Sequence, residues 1–179
     1  MKKFIVLAVM LVSIVICHGQ VLESGPSIVI GTRMWESAPS DSWGVEAGAG
    51  YRHFLLKRVH VNPQMSLFYN RYNEIKPNSI GLNARVDVGY ISPSAIGFEL
   101  FTGPDFDIAF MRPKGNAYVG GYSVEPVINT AVLRWRFGLG VNVGRFTIKG
   151  AYALGVTNVY VDGYDYYKNN IEFSVAYHL

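Results

Sequence analysis

Residues 131–143 read AVLRWRFGLGVNV, and this stretch decides the architecture. Ala131, Leu133, Trp135, Phe137, Leu139, Val141 and Val143 fall on one face, with Val132, Arg134, Arg136, Gly138, Gly140 and Asn142 on the other. Alternation at period two is the mark of a strand with one apolar and one polar side. The two following segments repeat it: Phe146, Ile148, Tyr152, Leu154 and Val156 stand against Thr147, Lys149, Ala151 and Ala153, and Ile171, Phe173, Val175 and Tyr177 against Glu172, Ser174, Ala176 and His178.

Working back toward the N-terminus, four more segments alternate: Trp43 to Arg52, Val59 to Asn70, Ile80 to Tyr90, and a longer one from Ile96 to Phe110. An eighth, Ser27 to Trp35, is weaker because Val29 breaks the pattern. Eight segments, each about the 9–11 residues that a tilted strand needs to cross a bilayer or longer, predict an all-β, eight-stranded antiparallel up-and-down transmembrane β-barrel. The connections agree. The second, fourth and sixth are short (Phe54 to Lys57, Ser92 to Ser94, Gly144 with Arg145), whereas Arg112 to Pro126 and Val161 to Asn170 are long and polar or Tyr-rich. Short periplasmic turns, longer external loops and both termini on the periplasmic side are the expected pattern. Tyr51, Tyr90, Phe146 and Tyr177 near the short-turn end, with Trp43, Tyr69, Phe110 and Tyr160 near the other, would form two interfacial girdles.

The chain opens with Lys2 and Lys3, an apolar run from Phe4 to Cys17, and His18, Gly19 and Gln20. That is the layout of a cleaved signal peptide over residues 1–19, leaving 20–179 as one barrel domain. A lipoprotein signal at Cys17 is disfavoured by the bulky Ile16 before it. Loss of the only cysteine removes disulfide and thiolate chemistry. Loss of Lys2 and Lys3 lowers the formal charge from +3 to +1, which gives no nucleic-acid-binding character. Half the residues are apolar and only 16% are charged. A soluble exported barrel carrying an apolar ligand in the lipocalin manner would need more charge to cover its outside, and its apolar rows would line the cavity.

The chain resembles the small outer-membrane barrels of the Bacteroidetes, the PorT-like group within the wider OmpX- and OmpA-like barrels. The matching pieces are Gly155-Val156-Thr157-Asn158-Val159, Gly103-Pro104, Asn62-Pro63-Gln64 running to Tyr69, and the end Phe173 to Leu179. The resemblance implies the same fold and an outer-membrane location, with lipid and the barrel-insertion machinery as partners, the latter through the C-terminal strand. Such barrels usually end in an aromatic residue, whereas this chain ends in Leu179 with Tyr177 two positions earlier. Pro63 and Pro104 match the family pattern and are expected to be tolerated as kinks or bulges.

The inward rows carry Arg33, Glu46, Arg52, Arg85, Asp87, Glu99, Asp105, Asp107, Arg134, Arg136, Lys149 and Glu172. In an interior just wide enough for side chains to fill, mixed signs predict a packed polar network; a narrow charged pore is the functional alternative. His53, His60 and His178 lack paired spacing, so neither metal nor cofactor is expected. A lipid hydrolase would need a serine, histidine and carboxylate in reach, for which Ser66, His60 and Glu46 could be named, but no G-x-S-x-G elbow accompanies them. The expected activity is therefore non-enzymatic: envelope structure or surface binding through loops carrying Tyr118, Tyr122, Tyr164, Tyr166 and Tyr167 among small polar residues. The ligand itself is not legible.

Overall fold

The computed structural model describes residues 23–35, 43–71, 78–93, 96–111, 117–119, 122–124, 131–157 and 169–179. The expected signal peptide, residues 1–19, and the connection over residues 158–168 lie outside them. Ten strands follow in chain order: β1 Gly25–Trp35, β2 Trp43–Phe54, β3 Val59–Arg71, β4 Ser79–Ile91, β5 Gly97–Ala109, β6 Ala117–Val119, β7 Tyr122–Val124, β8 Ala131–Val143, β9 Phe146–Gly155 and β10 Asn170–His178. Eight of them, β1 to β5 and β8 to β10, close into an antiparallel barrel in which each pairs with its sequence neighbours and β10 returns to β1. Closure runs from Ser27↔His178 to Trp35↔Asn170, and the Leu179 amide donates to the Pro26 carbonyl at 3.1 Å. The two remaining strands, β6 and β7, form a separate hairpin inside the connection from β5 to β8; the sequence reading expected only loop there.

Burial follows the sequence parity strand by strand. The outward row is apolar, with Leu139 65% and Ile148 57% exposed, while the inward row is polar and buried. This is the reverse of a soluble domain, where the apolar face is the one withdrawn from water. It also overturns the lipocalin-like alternative, because the apolar rows do not line a cavity. Val29 is buried at 2%, so β1 keeps the alternation and places one apolar residue in the lumen.

The connection between β8 and β9 is the two-residue turn Gly144–Arg145, with Gly144 at φ 57°. A left-handed residue at this position matches the turn to the twist of its strands, and glycine adopts it without a Cβ penalty. Trp43 and Tyr69 meet edge-on at 6.4 Å at the long-loop end, and Phe146 and Tyr177 pack at 5.0 Å at the short-turn end, so rings cluster at both rims.

Neither internal proline makes a bulge. The β2–β3 pairing passes from Gly50↔Gln64 to His53↔Val61 with unchanged offset, and β4–β5 passes from Arg85↔Asp105 to Val88↔Thr102 likewise. Each proline interrupts the ladder locally, as a missing N–H requires, and leaves the register intact.

Candidate functional site

All twelve charged residues of the inward rows are buried, six cationic and six anionic. Their neighbours across the strands are set by register, which brings residues distant in sequence to within ion-pair reach. At the long-loop end, Arg33 reaches Glu46 at 2.5 Å and Asp107 at 2.8 Å. Arg134 contacts Asp105 at 2.6 Å and Asp107 at 2.5 Å. Glu46 continues the chain to Arg85 at 2.6 Å. Glu172 lies 3.7 Å from both Arg33 and Arg85 and 2.8 Å from Arg136. Arg136 passes the network on to Asp87 at 2.8 Å. From there Lys149 links Asp87 at 3.2 Å to Glu99 at 2.7 Å, and Glu99 reaches Arg52 at 3.3 Å.

The twelve groups thus form one connected network along the lumen. Its formal charge is zero, which matters because an uncompensated ion in such surroundings carries a penalty of several kcal/mol. Not every contact is a hydrogen bond. Arg85 Nη1 and both oxygens of Glu172 are buried without a well-directed partner, so their contacts are Coulombic.

Uncharged side chains complete the pattern. Asn83 Nδ2 donates to Asp105 and, at 2.8 Å, to Asp107. At the short-turn end Asn142 Nδ2 donates to Glu99 at 3.0 Å, and Arg52 donates to the Thr147 hydroxyl at 2.9 Å, which donates to Asn142 at 2.6 Å. His60 Nε2 lies 3.1 Å from Glu99, and His178 Nε2 lies 2.8 Å from Thr147.

Two inward aromatics went unnoticed in the sequence. Phe68 lies under the Arg33 guanidinium at 5.5 Å; Phe101 lies under Arg136 at 5.4 Å and Lys149 at 4.4 Å. Cations over ring faces are attracted by the ring quadrupole. Parity on β3 and β5 places both inside; their apolar character masked it. Facing glycines admit the rings: a Cβ on Gly138 would stand 2.2 Å from the Phe101 ring and one on Gly81 2.5 Å from the Phe68 ring.

The Ser66, His60 and Glu46 triplet is not assembled. Ser66 Oγ lies 3.4 Å from Glu46 and 3.4 Å from Asn83, while His60 faces Glu99. Among the described residues, no group of three or more His, Cys, Asp or Glu is placed to hold a metal ion. Tyr118 and Tyr122 belong to the hairpin β6–β7, opposite Ser123 and Val119 respectively. Tyr164, Tyr166 and Tyr167 lie outside the described residues.

No protein-family model and no curated protein matches the chain. Among solved structures it is similar to a de novo designed transmembrane β-barrel, with a TM-score of 0.53 and 11% identity over 89% of this chain and 99% of that one. It is similar also to Ail, the attachment invasion locus protein of Yersinia pestis, with a TM-score of 0.51 and 13% identity over 88% of this chain and 100% of that one. At these identities the likeness is one of fold, and it agrees with the inside-out burial: the chain is a closed, eight-stranded transmembrane β-barrel.

Proposed function

We propose that this protein is a non-catalytic integral protein of a bacterial outer membrane, exported by the signal segment 1–19, in which a sealed barrel holds the external loops for surface binding. The observation that carries this reading is the single neutral network of twelve buried charges. It fills the lumen with charges of balanced sign and, among the described residues, leaves no surplus of one sign to select a permeant ion. A rigid wall with a filled interior is a scaffold, and recognition on such scaffolds falls to loops.

The hairpin β6–β7 with Tyr118 and Tyr122, and the tyrosines at 164, 166 and 167, are the recognition surface in this proposal. Tyrosine among glycine, serine and asparagine supplies contact area and hydrogen bonding at low entropic cost. Ail is named for attachment; the loop reading for this chain rests on the loop composition. Assignment to the PorT-like barrels of the Bacteroidetes rests on the short motifs alone, and assembly would proceed through recognition of the last strand, β10.

The test combines two measurements on whole cells and purified barrel. Cells displaying the native protein should retain a host- or matrix-derived surface ligand that cells with residues 115–126 replaced by a Gly-Ser linker do not, while both proteins keep a heat-dependent mobility shift. In planar bilayers the native barrel should show no steady conductance. Steady ion-selective conductance would replace the scaffold reading with that of a narrow pore.

A further inference from the structure

Four inward side chains near the short-turn end carry buried polar atoms that no protein group answers: Ser27 Oγ, Arg52 Nε, His60 Nδ1, and both ends of the Asn62 amide. All four residues are at most 2% exposed, and they stand on three adjacent strands. Ser27 pairs with Gly50, and Gly25 with Arg52. The β2–β3 register, unchanged between Gly50↔Gln64 and His53↔Val61, sets Arg52 opposite Asn62. His60 is the next inward residue on β3 toward the turn.

Their neighbours are engaged elsewhere. Asn62 faces Asp87 across β3–β4, but the two Asp87 oxygens accept from Arg136 at 2.8 Å and Lys149 at 3.2 Å. Gln64 Oε1 accepts from Arg85 at 2.9 Å. Arg52 directs Nη2 to Glu99 at 3.3 Å and Thr147 at 2.9 Å, and His60 turns Nε2 to Glu99 at 3.1 Å. Ser27 lies between His178, whose Nε2 faces Thr147, and Gly50, which has no side chain. A buried polar group left without a partner is costly, and native interiors answer such groups with ordered water.

The chemistry of the open groups selects the ligand. Arg52 Nε and Asn62 Nδ2 donate, Asn62 Oδ1 accepts, and the Ser27 hydroxyl does either. An anion would leave the amide oxygen unanswered and meet Glu99; a cation would meet the Arg52 guanidinium. Water donates and accepts and carries no charge. A route for it exists: Gly25 shares the inward parity of Ser27, is half-buried beside Arg52, and a Cβ there would meet nothing nearer than the Leu179 carbonyl at 3.9 Å. Toward the long loops, Arg33, Glu46, Asp105, Asp107 and Arg134 pair among themselves and close the site on that side. We propose that the short-turn end of the lumen is a binding site for ordered water, held by Ser27, Arg52, His60 and Asn62 and exchanging with solvent past Gly25.

The experiment uses the whole isotope-labelled barrel in phosphatidylcholine nanodiscs, with water itself as the probe. Magnetisation transfer from water to side-chain amide hydrogens is measured by NMR at Asn62 and at Asn83, whose Nδ2 is engaged by Asp105 and Asp107 and whose Oδ1 accepts from Ser66. Asn62 should show direct transfer from bound water, and Asn83 none. Gly25→Leu adds a side chain where only the Leu179 carbonyl stands within 4 Å, so the barrel should keep its heat-dependent mobility shift. Closing the route should slow exchange of the Asn62 amide hydrogens with deuterated solvent severalfold and leave Asn83 unchanged. Asn62→Leu removes the central anchor of the water and should shift the unfolding equilibrium roughly tenfold toward the unfolded state, whereas in a dry site deleting an unanswered amide would favour the folded one. Absence of transfer at Asn62, equal transfer at both residues, exchange indifferent to Gly25→Leu, or a stabilising Asn62→Leu overturns the proposal.

Discussion

Replacing Arg136 with methionine keeps an aliphatic stem of similar reach and deletes the charge that joins the two ends of the lumen. Its partners are Asp87 at 2.8 Å, Glu172 at 2.8 Å and the Phe101 ring at 5.4 Å. Removing one member of a buried pair costs about 3–5 kcal/mol, because the remaining charge stays buried. Asp87 keeps Lys149 at 3.2 Å, and Glu172 keeps only the two contacts at 3.7 Å, so Glu172 bears most of the loss. The expected cost is about 3 kcal/mol, a shift of more than a hundredfold in the unfolding equilibrium. Urea titration of the barrel refolded in vesicles, followed by Trp fluorescence and by heat-dependent mobility, measures it. Adding Glu172→Gln removes the stranded carboxylate, so the double variant should recover at least about 1 kcal/mol relative to the sum of the single changes. A single-variant cost below about 1 kcal/mol, with the double variant additive, would show that the lumen solvates its charges and would refute the packed-network account.

Two substitutions test the outer wall and the lumen packing in the same assay. Leu139→Arg puts a charge on an outward position 65% exposed; in vesicles it should cost about 2–4 kcal/mol, whereas an exposed site on a soluble barrel would tolerate it, so urea midpoints in lipid separate the two. Gly138→Ala drives a Cβ to 2.2 Å from the Phe101 ring, while Gly150→Ala meets nothing closer than 3.7 Å; the first should lower stability by about 1–3 kcal/mol and the second should be close to neutral, read from the same titrations.

The period-two alternation of residues 131–143 and its repeats was enough to specify the eight barrel strands, their inward and outward faces and which end of the barrel carries the short turns, but not the hairpin β6–β7. That is local information, since parity fixes which face a side chain takes once the chain is extended. It placed Arg33, Glu46, Arg85, Arg136 and Glu172 in the lumen. Pairing was another matter. That Arg33 meets Asp107 across 74 positions, or that Arg136 joins Asp87 to Glu172, depends on register and closure, which no single strand encodes. The inward Phe68 and Phe101 needed the structure too, because an apolar residue on a polar row is explained only by the glycine and the cation that face it. The prolines divide the same way. Their lost donors can be read from the chain, but only the tertiary arrangement sets Pro63 beside Val86 and keeps the register unchanged on either side of each gap. A sequence specifies what each residue can offer a neighbour; the closed barrel decides who the neighbour is, because hydrogen-bonded register converts distance along the chain into contact across it.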